Sequence, residues 1–474
     1  STAAMGSGAE TNLLLISFDQ WRGDWADPGA PVLQLPALQS LASEGWSARR
    51  CYTSSPHCVP ARMSWLTGLN PSQLGVTRNA DVSLPTDAPS LVRDLQQRGW
   101  HTAVVGKTHW TSHFQTSDLR QNGPLLNQLG FDQACDVAGP RALRRVTCDL
   151  TEAWRQAGLL EAQRADLQQR YGQGRSAAAW SVRPSLLPNP LYPDLWIAER
   201  GLKALQAMPS DQPWLLWVSF VGPHEPFDTP PPWHGRHRAD ALPAATPQPD
   251  WIADLPDTCE LSKCARSWSG RLSQKQIEAC RADYADHLSL LDDQIQRLLT
   301  GLERRPDQAS TAVLATADHG DMLGDGGMLY KGSFLEGAIR VPFIYRPPAE
   351  SRTGSGIQSK RALPLTGLLR EVLQNLPAGG TLKPLRHWAS QQPGAVVEFG
   401  EERLFIRGAR KLCLDASGQP LWATHIGNDP DEQRNRIGAL HQSQPRWIRL
   451  LEWAGQEQLR RSTGAWIWRN LTNA

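Results

Sequence analysis

Apolar runs recur along the first two thirds of this chain, and four of them break off at polar residues. Leu13-Leu14-Leu15-Ile16-Ser17-Phe18 ends at Asp19-Gln20, and Thr102-Ala103-Val104-Val105 ends at Gly106-Lys107-Thr108-His109. Trp214 to Phe220 runs out just before His224, and Thr311 to Thr316 just before Asp318-His319. Between these runs the apolar positions fall at helical spacing, as in Leu195 to Met208 or at Ile277, Tyr284, Leu288, Leu291 and Ile295 within Gln274 to Leu302. Such alternation predicts an α/β fold with a mostly parallel, mixed central sheet flanked by helices. As strands of one sheet, the four runs would bring their polar ends together at its carboxyl edge, where open α/β sheets hold their sites.

The pattern changes after residue 376. A helical stretch from Leu363 to Leu376 meets Pro377-Ala378-Gly379-Gly380, a boundary signal. Ala395–Phe399, Glu402–Arg407 and Lys411–Asp415 then read as short antiparallel strands. The expected organisation is a large α/β domain over 11–376 carrying the site and a small C-terminal α+β subdomain over 381–474. Residues 1–10, small and polar, read as a cloning remnant or disordered start. Pro223 to Pro256, rich in Pro, His and Asp, is too long and irregular for a simple connection and predicts a wall or lid. Trp21, Trp110, His113 and the stretch 233–238 complete the expected pocket walls.

Charge narrows the partners. Lys and Arg number 49 against 47 Asp and Glu in 474 residues, so no global field recruits nucleic acid or an anionic membrane. No apolar run approaches the roughly 20 residues of a membrane span. The start lacks the basic and apolar regions of a signal peptide, which leaves a cytoplasmic or a periplasmic home open. Self-association is equally open. The eight cysteines are scattered and do not form a disulfide framework, and Cys259, Cys264 and Cys280 lack the paired spacing of a zinc site. Twenty tryptophans without a repeat read as core and pocket wall.

One cysteine stands apart. Cys58-Val59-Pro60-Ala61-Arg62 has the C-x-P-x-R pattern that is the substrate of enzymes oxidising cysteine to formylglycine. A hydrated aldehyde offers one oxygen as nucleophile and a second for its own regeneration, which ordinary nucleophiles cannot do. The bland account is a buried cysteine before a helix that begins at Pro60 and ends at Gly68. Taken singly, Asp19 and Asp318 read equally well as turn or cap residues, and His109 and His224 as structural histidines.

Taken together, these residues resemble the sulfatase family of the alkaline-phosphatase superfamily, from Asp19 to Pro342. Cys58 to Gly68 resembles the family's first signature and Gly106 to His109 its second. Gly222 to Phe227 and Lys331 to Pro342 match two further blocks, and Gly427 to Asn435 its late turn. Two departures, Asp19-Gln20 in place of paired aspartates and Asp318-His319 in place of Asp-Asn, resemble the choline-sulfatase and phosphonate monoester hydrolase branch.

The resemblance implies one divalent metal held by Asp19, Gln20, Cys58, Asp318 and His319. Ca2+ leads, with Mn2+ raised by the imidazole. It implies formylglycine from Cys58, made by a formylglycine-generating enzyme. It also implies that Arg62 and Lys107 hold the formylglycine oxygens, that His109 assists release, and that Asp318 accepts the nucleophile's proton. His224 and Lys331 would bind the ester oxygens, one of them protonating the leaving group, with Asn79 a further pocket contact. The activity expected is hydrolysis of small-molecule sulfate esters. The alternatives are a phosphonate monoester or phosphodiester hydrolase or, were Cys58 left unmodified, a protein that binds sulfated ligands.

Overall fold

The computed structural model describes residues 10–113, 117–172, 180–352, 356–442 and 444–461. Residues 1–9 of the expected disordered start therefore lie outside the described residues. Strands β1 (Asn12–Asp19), β2 (Trp46–Tyr52), β3 (His101–Lys107), β4 (Gln133–Val137), β5 (Trp214–Pro223), β6 (Thr311–Ala317), β7 (Arg340–Val341), β8 (Phe343–Arg346) and β9 (Ile357–Pro364) form one sheet. The spatial order is β4-β3-β5-β1-β6-β8-β2-β7, with β9 alongside β2. The five strands from β4 to β6 are parallel, and β8 and β7 are the antiparallel elements. Every residue of β1, β5 and β6 is buried, as strands covered on both faces must be.

All four apolar runs are thus strands of this sheet, and their carboxyl ends share one edge. The approach there is close: a Cβ on Gly106, whose φ is +119°, would lie 1.8 Å from the Ser219 carbonyl oxygen. Only glycine lets β3 deliver Lys107 beside β5.

A second sheet of four antiparallel strands consists of β10 (Ala395–Phe399), β11 (Glu402–Arg407), β12 (Arg410–Leu414) and β13 (Pro420–His425), of which β13 has no counterpart in the sequence reading. Phe405, Leu412 and Leu414 on one face pack with Trp447 and Leu450 of helix Pro445–Arg461. Leu404, Ile406, Cys413 and Trp422 on the other join the main core. Among the described residues no helix is long and apolar enough to cross a membrane.

Two local expectations need correcting. The helix at the cysteine motif spans Cys58–Thr67, so Cys58 is its first residue and Pro60 lies inside the first turn, where a missing N–H costs nothing. The Pro223–Pro256 stretch is a wall only at its start, where His224 and Glu225 line the cavity. It is braced on the long helix Gln274–Glu303, where Asp286 accepts the Gly235 and His237 amides and Asp293 the Trp233 indole N–H.

Candidate active site

The sheet edge assembles a buried charged cluster. Asp19 closes β1, Asp318 and His319 follow β6, and Cys58 opens its helix. One ligand atom from each lies within 4.8 Å of the others. Arg62, one turn further along the same helix, is fully buried. Its Nε donates to Asp318 Oδ2 at 2.9 Å, Nη2 to Asp19 Oδ2 at 3.1 Å, and Nη1 to the Lys107 carbonyl at 2.7 Å and Ser219 Oγ at 3.2 Å. These donors serve the carboxylates and strand ends, so Arg62 ties Asp19, Asp318 and the end of β3 together beneath Cys58. Lys107 Nζ donates to Asp19 Oδ2. Burial opposes the Asp19 charge, but Lys107 and Arg62 outweigh it and hold that carboxyl well below its ordinary value. Asp318 moves up, because burial and the Asp19 charge both favour its proton.

Two atoms in this cluster are buried without partners among the described residues, Asp19 Oδ1 and His319 Nε2. His319 Nδ1 lies 2.9 Å from the Gly320 carbonyl, which can only accept, so Nδ1 carries a proton; burial opposes a second proton on Nε2 and the Asp318 charge favours it, a proton that a cation at Nε2 would displace. Nε2 stands 3.7 Å from Asp19 Oδ1 and 3.5 Å from Asp318 Oδ2. Two carboxylates, an imidazole nitrogen and a cysteine around such orphaned atoms fit a divalent cation. Gln20, expected among the ligands, has its oxygens engaged elsewhere: the carbonyl accepts from Tyr284 Oη at 2.6 Å and Oε1 from Lys331 Nζ at 2.7 Å.

Around Cys58 the field is positive. Burial opposes ionisation of the thiol, yet Lys107 and Lys331 prevail and hold its pKa well below the ordinary value. His57 gives its helix no side-chain cap; instead Asn79 Oδ1 accepts the Val59 amide at 2.9 Å while its Nδ2 lies 3.7 Å from Cys58 Sγ. His109, in left-handed backbone at φ +55°, lines the same cavity as Cys58, and burial, then Lys107, keep its imidazole neutral. Opposite, Lys331 Nζ also contacts His224 Nε2 at 3.2 Å, and His224 Nδ1 contacts the Glu225 carbonyl at 2.6 Å. The carbonyl fixes the proton on Nδ1, so Nε2 accepts from Lys331. Burial, despite the Glu225 charge, lowers His224 to about 4.

The sequence reading missed Glu225 as a site residue. Its carboxylate accepts Gln20 Nε2 at 2.8 Å and Arg141 Nη2 at 3.1 Å, and lies 3.2 Å from His224 Nδ1. A glutamate directly after His224 was the available signal. Asp321 completes the set by accepting Gln20 Nε2 at 2.8 Å and the Leu323 and Tyr330 amides.

A sulfatase family model matches residues 11–367. The chain belongs to the sulfatase family. The arylsulfatase of Clostridium perfringens is 28% identical over 338 residues, 71% of this chain and 68% of that protein. The choline-sulfatase of Rhizobium meliloti is 27% identical over 431 residues, covering 88% and 77%. Among solved structures, the phosphonate monoester hydrolase of Agrobacterium radiobacter superposes with a TM-score of 0.74 at 22% identity, over 94% of this chain and 96% of that one.

In this sulfatase a cavity of 630 Å³ opens above Cys58, Lys107 and Lys331. Its walls differ from the expected ones. Trp21 and Trp110 are buried in the core, the latter stacked on Phe131 at 5.2 Å, and residues 233–238 do not line it. His113 does, and Tyr171, Trp180, Trp268, Tyr330 and Phe399 supply the aromatic surface.

Proposed function

We propose that this sulfuric ester hydrolase works through formylglycine formed from Cys58 and one divalent cation, Ca2+ or Mn2+, held by Asp19, Asp318, His319 and the modified residue 58. The observation that carries the reading is the joint burial of these residues around the unpartnered Asp19 Oδ1 and His319 Nε2. The cation would supply Lewis acidity at a sulfuryl oxygen. Formylglycine, as its hydrate, would supply an oxygen nucleophile and the means of its own regeneration.

The chain's own groups do the rest. Asp318, with its raised pKa, accepts a proton at Oδ2 beside residue 58. Lys107 and the first amides of helix 58–67 add positive potential where the sulfate anion sits. His109 is a neutral base on the cavity floor with residue 58. Lys331, part-buried beside the Glu225 carboxylate, is held as an ammonium and gives a proton to the departing ester oxygen as the S–O bond breaks. His224 and Gln20 aim that ammonium through their acceptor atoms.

Mass spectrometry of the peptide spanning residue 58, paired with aryl sulfate turnover, tests the proposal. Protein made with a formylglycine-generating enzyme should carry a residue 58 that has lost its sulfur. Cys58→Ala should cost more than ~10³-fold in kcat. Near-normal hydrolysis by the variant would sink the mechanism, and ligand binding without turnover by protein whose residue 58 stays cysteine even when made with the formylglycine-generating enzyme would favour the binding-protein alternative. Phosphonate esters of the same phenol tell sulfatase from phosphonate hydrolase.

A further inference from the structure

The cavity wall has a charge imbalance that the reaction does not use. Beyond the floor lysines, five cationic side chains line it, Arg78, Arg141, Arg144, Arg145 and Lys263, against two carboxylates, Glu225 and Glu260. Arg78 and Lys263 share Glu260, and Arg141 is on Glu225. Arg144 bonds only neutral oxygens, the Arg141 carbonyl at 2.8 Å and Gln168 Oε1 at 3.4 Å. No carboxylate among the described residues reaches Arg144 or Arg145. Three guanidiniums within five residues repel one another, and Arg144 is shifted down by burial and then by Arg145.

The aromatic wall points the same way. Its faces could cage a cationic leaving group, but they already carry guanidiniums. Arg141 sits 4.6 Å over Tyr171 and 5.7 Å over Tyr330, Arg271 lies 5.0 Å over Trp180 and 4.9 Å over Trp268, and Arg78 lies 4.6 Å over Phe399. A quaternary ammonium would meet wall-lining cations at Tyr171, Tyr330 and Phe399, while Arg271, which does not line the cavity, backs Trp180 and Trp268. A flat or sugar-like ring bearing an anion would meet aromatic edges and two guanidiniums that lack an ionic partner.

We propose that the leaving group of the sulfate ester is a ring carrying a second anionic substituent, bound by Arg144 and Arg145. The inference rests on the sulfatase mechanism above and selects a substrate class for the same site. The shared chemistry is a carboxylate or a second sulfo group.

Four phenyl sulfates test it, with hydrogen, carboxylate, sulfonate or trimethylammonio at the meta position. The expected kcat/KM of one or both anionic esters exceeds that of the neutral ester about 10- to 100-fold, mainly through KM, the range of one or two charge-assisted hydrogen bonds. Which of the two leads identifies the anion. The trimethylammonio ester should fall below the neutral one although its phenol is the better leaving group. In an Arg144→Gln/Arg145→Gln variant the anionic-to-neutral ratio should drop toward one, and Arg145→Glu should turn the preference toward the trimethylammonio ester, a gain that misfolding cannot imitate. Turnover of the neutral ester with no anionic preference, or a preference unchanged in the double variant, would overturn the inference. No hydrolysis of any of the four would remove the sulfatase mechanism and this substrate class with it.

Discussion

Replacing Lys331 by Met keeps the stem of the side chain and removes the ammonium. Of its three N–H bonds, one goes to Gln20 Oε1 at 2.7 Å and one to His224 Nε2 at 3.2 Å, which leaves one for the substrate. For a nitrophenyl sulfate, whose phenolate departs without help, the loss is that single charge-assisted hydrogen bond. That is about 1.5–3 kcal/mol, or about 10- to 100-fold in kcat/KM. An alkyl sulfate must also expel an alkoxide without its proton, which adds a further factor of about 10² to 10⁴. His224 is a poor substitute, since its Nε2 carries no proton and burial, the largest cause of its lowered pKa, persists when the Lys331 charge is gone. Plots of log kcat/KM against leaving-group pKa, from nitrophenyl to alkyl sulfates, should therefore be markedly steeper for Lys331→Met than for the unaltered enzyme. Parallel lines would take Lys331 out of the acid role.

Lys411→Met probes the strut between the two sheets: fully buried Lys411 donates to Glu336 at 3.0 Å, Glu432 at 2.9 Å and the Phe334 carbonyl at 2.8 Å. Buried Glu432 and part-buried Glu336 lose their cation, so stability should fall by about 3–5 kcal/mol at pH 7, read as a urea midpoint. Burial opposes the Glu336 charge but Lys411 holds its pKa down, so the Glu336–Lys411 contribution is present above the ordinary carboxylate range and fades as pH falls through the depressed value, whereas burial outweighs Lys411 at Glu432 and raises it; equal midpoints at pH 7 would refute this. Burial raises Asp228 to about 6, against roughly 3.9 unfolded. The folded state therefore binds the extra proton between these values, and stability should drop by about 3 kcal/mol as pH climbs from 4 through 6. Asp228→Asn should flatten that part of the curve, and an unchanged slope would count against it. Chelation, or Asp318→Asn, should cut turnover at least about 10²-fold, with one divalent ion per chain by elemental analysis; full activity of metal-free protein would refute the metal assignment.

Much of this was legible along the chain because its causes are local. The apolar runs at 13–18, 102–105, 214–220 and 311–316 are strands because their buried, β-prone residues have no other stable place. Their polar ends share an edge because parallel strands in one sheet all point the same way. The cysteine motif likewise reads locally, down to the glycine at 68, whose φ of +74° ends the helix. Partner choice was not legible, since it depends on strand order. Lys331 meets Gln20 across 311 positions and Arg62 meets Asp318 across 256, contacts that exist only because β1 lies between β5 and β6 and the helix at Cys58 covers their ends. For the same reason the hydrogen bonds of Gln20 to Lys331 and of Arg62 to the two aspartates had no signal in the sequence. The pocket wall was the least readable part. Whether a tryptophan is core or wall depends on what packs over it, and tertiary packing alone buried Trp21 and Trp110 and brought Trp180, Trp268 and the arginines at 141, 144 and 145 to the cavity.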